Sequence, residues 1–242
     1  MTERLTLVLI PGLMCSPRVW RDLLPDLHSD IAVLMVDHAP SSSLSEMARR
    51  VLDQSPGRFA VAGHSMGGRI AMEMMRMAPQ RISHIALIDT AYQARASGQA
   101  GEQERVRRYI LRDLAYAQGV RAMAKAWVKD MVHPTRLHDT DLIEAIVSMF
   151  EAKSADTFAG QIEALLNRRD ASDVLRALKV PTLLAVGRED SWSNLAQHQA
   201  MQALAPHAQL DVIEEAGHMA PMEQPRSMAD SLNRWLDVAR QP

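Results

Sequence analysis

Six short apolar runs punctuate the chain, and each has the length of a single buried strand. They cover residues 5–10, 31–36, 59–62, 85–88, 182–186 and 210–213. Helical patterns fill most of the intervals, at residues 17–27, 44–52, 66–78, 195–204 and 227–238. Strands that alternate with helices form a parallel sheet with helices on both faces. The pattern therefore predicts an α/β fold with a mostly parallel sheet of about six strands.

The alternation stops between residues 89 and 180. This stretch is rich in Ala, Arg, Met and Leu, and apolar residues such as Met123, Trp127 and Met131 recur at helical spacing. Breaks are expected near Gly119, at residues 133–134 and at residues 153–154, which leaves about four helices. We predict a core formed by residues 1–90 and 181–242, with residues 91–180 inserted as a helical lid.

The segment from Gly63 to Gly67 has the form Gly-x-Ser-x-Gly. It follows an apolar run and precedes a helical pattern, which is the strand, turn and helix order of a nucleophile elbow. Residues without a Cβ fit where strand and helix crowd together, while the serine hydroxyl projects from the turn. Ser65 is therefore a candidate nucleophile, with an ordinary helix-capping serine as the alternative.

A serine hydroxyl needs a base and a group that orients the base. Asp190 and His218 each follow a late apolar run, so both are expected at the sheet edge that carries Ser65. Glu189 and two further acids, Glu214 and Glu215, are alternatives to Asp190. His64 is a minor alternative to His218. Five other histidines are expected to be solvated: His28, His84, His138, His198 and His207.

Taken together, these motifs resemble the α/β-hydrolase superfamily, in its compact serine esterase or lactonase form with a helical lid. The resemblance runs through residues 9–12, 63–68, 187–190 and 217–219. It implies Ser65 as nucleophile, Asp190 as acid and His218 as general base. It also implies the backbone N–H groups of Leu13 and Met66 as the oxyanion hole.

The chain departs from the family pattern at four places. The first apolar run begins almost at the terminus, so the family's first two strands are expected to be absent. Pro11-Gly12 stands where the family often has His-Gly. Residues 37–43, including Ala39, replace a turn that is commonly rich in arginine and glycine, and residues 191–194 lack the usual proline.

Composition narrows the class of function. The formal net charge of −2 over 242 residues argues against nucleic acid or an anionic membrane as the main partner. The single cysteine, Cys15, suits a reducing compartment, and no signal peptide or membrane-length apolar run is visible. No metal-ligand spacing and no glycine-rich nucleotide loop occurs, so no cofactor and no metal is expected. The composition favours a soluble cytoplasmic enzyme.

Apolar side chains are expected to line the substrate pocket. Met14 and Met219 neighbour the proposed catalytic loops, Trp192 neighbours the proposed acid, and the lid supplies Trp127 and Met131. Residues 101–130 hold seven basic residues against four acidic ones. A solvated helix face explains this excess most simply, and a docking patch for an acidic acyl carrier protein is an alternative.

The predicted function is hydrolysis of a carboxylic ester or lactone of a small to medium apolar acid. Fold and triad do not fix the substrate, so carbon–carbon bond hydrolases, lyases and perhydrolases are alternatives. A non-enzymatic ligand receptor of the same fold is a further alternative.

Overall fold

The computed structural model describes residues 4–38, 40–55 and 57–238. All six apolar runs form strands: β1 (Thr6–Ile10), β2 (Ala32–Met35), β3 (Phe59–His64), β4 (Ile82–Ile88), β5 (Thr182–Gly187) and β6 (Gln209–Ile213). They form one sheet in the order β2-β1-β3-β4-β5-β6, and every pairing is parallel. Every residue of β3 and of β5 is buried. The predicted fold class and the sheet of six strands are confirmed.

Helices cover both faces of the sheet. The described α-helices are α1 (Leu44–Gln54), α2 (Met66–Met77), α3 (Gly98–Gln118), α4 (Val120–Trp127), α5 (Thr140–Glu151), α6 (Ala155–Leu166), α7 (Ser172–Ala177), α8 (Leu195–Leu204), α9 (Ala220–Glu223) and α10 (Pro225–Asp237). A 3-10 helix, Pro17–Asp26, packs with α9 and α10, whereas α1, α2, α7 and α8 pack in succession. Helices α2, α8 and α10 and the 3-10 helix contact the strands directly, and the arrangement has three layers.

The first helical pattern forms a 3-10 helix rather than an α-helix. Pro25 lies inside it and has no N–H to donate four residues back, which favours the tighter turn. Its last turn closes through a Leu27 N–H to Leu24 carbonyl bond of 3.3 Å. Val19, Trp20 and Leu23 nevertheless face the core, because the period of three still gives one apolar stripe.

Residues 91–180 are mainly helical, holding α3 to α7 and two 3-10 helices, Val128–Asp130 and Pro134–His138. Breaks occur at Gly119, where φ is +88°, at Pro134, and at residues 152–154 between α5 and α6. Helix α3 packs against α4 and α6, and α4 packs against α5. Residues 1–3, Ala39, Pro56 and residues 239–242 of the predicted segments lie outside the described residues. Within the described chain, no helix is long and apolar enough to cross a membrane.

Candidate active site

Ser65 occupies a sharp turn between β3 and α2. Its backbone has φ +53° and ψ −115°, a conformation that non-glycine residues rarely adopt. The Ser65 N–H donates to the Ile88 carbonyl at 2.8 Å, and the Thr90 hydroxyl donates to the Ser65 carbonyl at 2.7 Å. A Cβ on Gly67 would lie 2.2 Å from the Ile10 carbonyl oxygen, so only glycine fits there. Main-chain contacts on both sides therefore hold the serine in this conformation.

A chain of hydrogen bonds connects Ser65 to Asp190. Ser65 Oγ lies 2.8 Å from His218 Nε2, and His218 Nδ1 lies 2.8 Å from Asp190 Oδ2. Asp190 Oδ1 accepts the N–H groups of Trp192 and Ser193 at 2.8 and 3.0 Å. Burial opposes ionisation of Asp190, but His218 and these N–H donors outweigh it and lower the carboxyl pKa. The arrangement can remove a proton from Ser65 and stabilise the resulting imidazolium.

The other acids considered from the sequence lie elsewhere. Glu189 Oε1 is 3.6 Å from His133 Nε2, and Glu214 pairs with Arg188. Glu215 is exposed and adopts φ +54°. Asp190 is therefore the acid that accepts the hydrogen bond from His218 Nδ1.

His64 lies behind the site rather than in it. It is fully buried, and its Nε2 donates to the His218 carbonyl at 2.7 Å. Burial, with His218 nearby, lowers the His64 pKa to about 3, so the ring is neutral. The expectation that His84 and His198 are solvated is wrong, because both are buried. The His198 ring is within hydrogen-bond distance of the Asn194 carbonyl and of the Thr90 N–H. The His84 ring lies edge-on to the ring of Trp235, with a centroid distance of 5.7 Å.

Hydrogen bonds join the loop that carries His218 to the inserted segment. The His218 N–H donates to the Met131 carbonyl at 2.6 Å. The buried carboxylate of Glu223 accepts three main-chain N–H groups, those of Gly217 at 2.9 Å, Met219 at 3.3 Å and His133 at 2.6 Å. One side chain thus joins the histidine loop to residues 131–133. The available signal in the sequence was an acidic residue five positions after the histidine.

The loop that carries Leu13 and the first turn of α2, which begins at Met66, both lie next to Ser65. A Cβ built on Gly12 would lie 3.1 Å from the Ser65 Cβ, so the loop that carries Leu13 lies directly against the serine. Met66 is the first residue of α2, where a backbone N–H has no partner within the helix. Among the described residues, neither N–H has an acceptor in the chain. Both donors can therefore bind an external oxygen atom.

Aromatic rings of the inserted segment reach His218 through Trp192. Trp127 stacks on Trp192 with centroids 5.3 Å apart, and Trp192 lies 5.0 Å from the His218 ring. The rings of Phe150 and Phe158 also lie near Trp127, with centroid distances of 5.4 and 5.5 Å. Three of the proposed pocket methionines, Met14, Met131 and Met219, are buried nearby in the core. The surroundings of the histidine are apolar on this side.

Asp89 is a buried acid close to the site that sequence reasoning missed. It ends β4 with φ +46°, and its Oδ1 accepts the Gly187 N–H at 2.8 Å. Its Oδ2 lies 3.8 Å from His64 Nε2. Burial and the neighbouring Asp190 charge raise the Asp89 pKa well above its usual range. Its position directly after a buried strand, at the edge that carries Ser65, was the available signal. No group of three or more metal-ligating side chains is found among the described residues.

Known proteins resemble this chain along almost its whole length. The biotin biosynthesis bifunctional protein BioHC of Teredinibacter turnerae is 25% identical over 97% of the chain, which spans 45% of that protein. A pimeloyl-[acyl-carrier protein] methyl ester esterase of Aliivibrio salmonicida is 25% identical, over 95% of the chain and 91% of the relative. The putative carbamate hydrolase RutD of Azorhizobium caulinodans is 30% identical, over 76% of the chain and 73% of the relative.

The fold is also that of solved structures. The enol-lactonase from Burkholderia xenovorans LB400 superposes with a TM-score of 0.85 at 21% identity, covering 97% of this chain and 92% of that one. The family model described as "Alpha/beta hydrolase family" matches residues 7–231. The chain therefore belongs to the alpha/beta hydrolase family.

Proposed function

We propose that the chain is a serine hydrolase that cleaves a carboxylic ester or lactone of a small to medium apolar acid. The observation that carries the proposal is the unbroken chain of two 2.8 Å contacts from Ser65 through His218 to Asp190. Similarity to a methyl ester esterase over 95% of the chain supports ester chemistry.

In the proposed mechanism, His218 Nε2 takes the Ser65 proton as Oγ attacks the substrate carbonyl. Asp190 holds the imidazole in the tautomer with its proton on Nδ1 and stabilises the imidazolium. The N–H groups of Leu13 and Met66 stabilise the tetrahedral oxyanion, usually the largest electrostatic contribution. His218 then protonates the leaving alkoxide, which for a lactone stays attached to the acyl group. Water activated by His218 finally releases the acid and restores Ser65.

Residues 91–180 serve in this proposal as a lid over the acyl group. The stack of Trp127 on Trp192, and the bond from the His218 N–H to the Met131 carbonyl, support that role. An apolar cover excludes water from the acylation step and favours apolar acyl groups by shape. Polar substitutions at Trp127 or Phe150 should therefore shift chain-length preference.

We propose a free small-molecule ester rather than a carrier-bound one as the substrate. The relative from Aliivibrio salmonicida is named for an acyl-carrier-protein ester. In this chain, however, three arginines of the inserted segment pair with acids of the same segment. Arg105 pairs with Glu102, Arg108 pairs with Glu104, and Arg121 pairs with both Glu144 and Glu151. Those pairs leave less free positive charge to attract an acidic carrier.

The single buried Cys15 supports a reducing, cytoplasmic setting.

The test is turnover of p-nitrophenyl esters from acetate to octanoate, together with a simple lactone. Ser65→Ala should lower kcat by roughly 10⁴-fold or more, and Ser191→Ala, which removes a nearby exposed hydroxyl, should leave it unchanged. Acid-quenched wild-type enzyme should carry one acyl group on Ser65 by mass spectrometry. Equal rates in wild type and Ser65→Ala would overturn the nucleophile. A folded wild type that hydrolyses none of these substrates would instead favour the receptor, lyase or carbon–carbon alternatives.

A further inference from the structure

The loop that carries Leu13 is held by two buried side chains from distant parts of the chain. His38 follows β2 and is 1% exposed, and Gln161 lies in α6 of the inserted segment and is 0% exposed. His38 Nε2 lies 3.0 Å from the Pro11 carbonyl oxygen and 3.2 Å from that of Gly12. Gln161 Oε1 accepts the Met14 N–H at 2.9 Å. The two side chains meet where Gln161 Nε2 lies 3.3 Å from His38 Nδ1.

The chemistry of these atoms allows only one assignment of hydrogens. Carbonyl oxygens only accept, so His38 Nε2 carries a proton. The Met14 N–H only donates, so the oxygen of the Gln161 amide faces it and the amide nitrogen faces His38. That nitrogen donates, so His38 Nδ1 is an unprotonated acceptor and the ring is neutral. Burial and, to a smaller extent, the nearby Lys153 charge lower the His38 pKa, which keeps the ring neutral.

This network sets the direction of the Leu13 N–H. The peptide between Gly12 and Leu13 is planar and trans, so its carbonyl and its N–H point in opposite directions. A carbonyl held towards His38 turns the N–H of the same peptide away from His38. On the serine side, Gly12 lies against Ser65, where a Cβ would come within 3.1 Å of the Ser65 Cβ. Met14, next in the loop, has φ +60°, and Gln161 fixes it in that unfavourable conformation.

We propose that Gln161 and His38 are positioning residues for the oxyanion hole, and that Gln161 makes the hole depend on the inserted segment. The inference rests on the proposed function, because it needs Leu13 to be an oxyanion donor. A donor aimed in advance stabilises the transition state without reorganisation. The helical segment thus contributes to catalysis through a hydrogen bond to the core loop, in addition to covering the acyl group.

The first test replaces Gln161 by Met, which is similar in length and removes both hydrogen bonds. We expect kcat to fall by about 10- to 100-fold, less than the roughly 10²- to 10³-fold cost of losing a donor outright. KM should change little, because the ground-state ester depends less on this N–H than the oxyanion does. Affinity for a trifluoromethyl ketone, which binds as a tetrahedral adduct, should fall in parallel with kcat/KM.

The matched control is Glu163→Met on the same helix. Glu163 accepts a hydrogen bond from Tyr109 within the inserted segment at 2.8 Å and does not touch the Leu13 loop. This control should leave kcat and ketone affinity near wild type while costing similar thermal stability. Equal kcat losses in both variants would overturn the inference, since the effect would then follow general loosening of the segment. Failure of the proposed function is distinct, because it requires a wild type without Ser65-dependent turnover.

The second test uses Gln161→Glu, which can keep every bond if the new carboxyl and His38 share one added proton. The carboxyl then accepts the Met14 N–H and also satisfies His38 Nδ1. The charged groups that face His38 are Asp37 and Lys153, which form an ion pair at 2.9 Å. The positive charge of Lys153 favours loss of the shared proton, and the negative charge of Asp37 opposes it.

We expect near wild-type kcat for Gln161→Glu at neutral pH and a fall in kcat, without a change in KM, as pH rises and the proton leaves. The wild type should show no such fall. A pH profile identical to wild type would overturn the inference. This outcome is informative even if Gln161→Met does not fold.

Discussion

The ends of β4 and β5 each carry a buried aspartate, and the two carboxyls receive different numbers of hydrogen bonds. Asp190 accepts hydrogen bonds from Nδ1 of His218 and from the backbone N–H groups of Trp192 and Ser193. Asp89 accepts the Gly187 N–H, and its Oδ2 has no hydrogen-bond partner among the described residues. Burial raises both pKa values, but only Asp190 has enough donors and a cationic partner to reverse the effect.

Strand position and burial therefore do not define the role of a carboxyl at this edge. Two adjacent strands present the same residue type at their carboxyl ends, Asp190 beside His218 and Asp89 beside His64. The main-chain turn after β5 supplies two N–H donors, and the segment after β4 supplies none to Asp89 Oδ2. Asp190 is therefore suited to support an imidazolium, and Asp89 to act as a neutral, structural acid.

The largest expected difference is in activity. Asp190→Asn should lower kcat by roughly 10⁴-fold, because an amide favours the wrong tautomer of His218. Asp89→Asn should stay within about 10-fold of wild type, because an amide resembles the neutral acid and can still accept the Gly187 N–H. Steady-state kinetics on a p-nitrophenyl ester measure both. Similar losses in the two variants would show that both carboxyls act on His218.

A smaller effect is expected in the way thermal stability depends on pH. The Asp89 pKa is raised in the folded state, so the folded chain holds a proton that the unfolded chain releases above about pH 4. Wild-type stability should therefore fall as pH rises from that point towards the folded-state pKa. Asp89→Asn lacks this penalty, so its Tm relative to that of the wild type should rise as pH increases above about 4. A Tm advantage that shrinks with rising pH would mean that folded Asp89 is ionised.

The smallest effect concerns Glu189, the acid adjacent to Asp190. Glu189→Gln should change kcat by less than about twofold, because the Glu189 carboxylate lies 3.6 Å from His133 and makes no hydrogen bond to His218. The same ester assay measures it, with Asp190→Asn in parallel. A loss approaching that of Asp190→Asn would reverse the assignment of the acid.

The sequence was sufficient for the sheet and for the three residues that meet at its edge. Apolar runs bounded by turns mark buried strands, and parallel strands bring their carboxyl ends together. Ser65, Asp190 and His218 each follow such a run, so their convergence follows from topology alone. The breaks at Gly119 and Pro134 were likewise predictable, because glycine and proline interrupt helices for local steric reasons.

The supporting residues could not be predicted in the same way. Gln161 and Glu223 act through hydrogen bonds to backbone groups more than 80 residues away in sequence, at Met14 and His133. No local pattern distinguishes a glutamine that reaches a distant N–H from one that faces solvent. The misjudged burial of His84 and His198 has the same cause, since tertiary packing decides it. The helix at Pro17–Asp26 was predicted but its 3-10 form was not, because α-helical and 3-10 apolar spacings overlap over ten residues.

The backbone of Ser65, at φ +53°, has a consequence for attempts to improve this protein by selection. A non-glycine residue in such a conformation costs about 1–3 kcal/mol, which the surrounding contacts sustain. Glycine would relieve much of that cost at position 65 while deleting the hydroxyl. A library ranked by heat resistance alone would therefore enrich inactive clones at this codon, as selection for stability and selection for turnover pull in opposite directions here. Thermostable descendants are best sought with turnover as a simultaneous criterion.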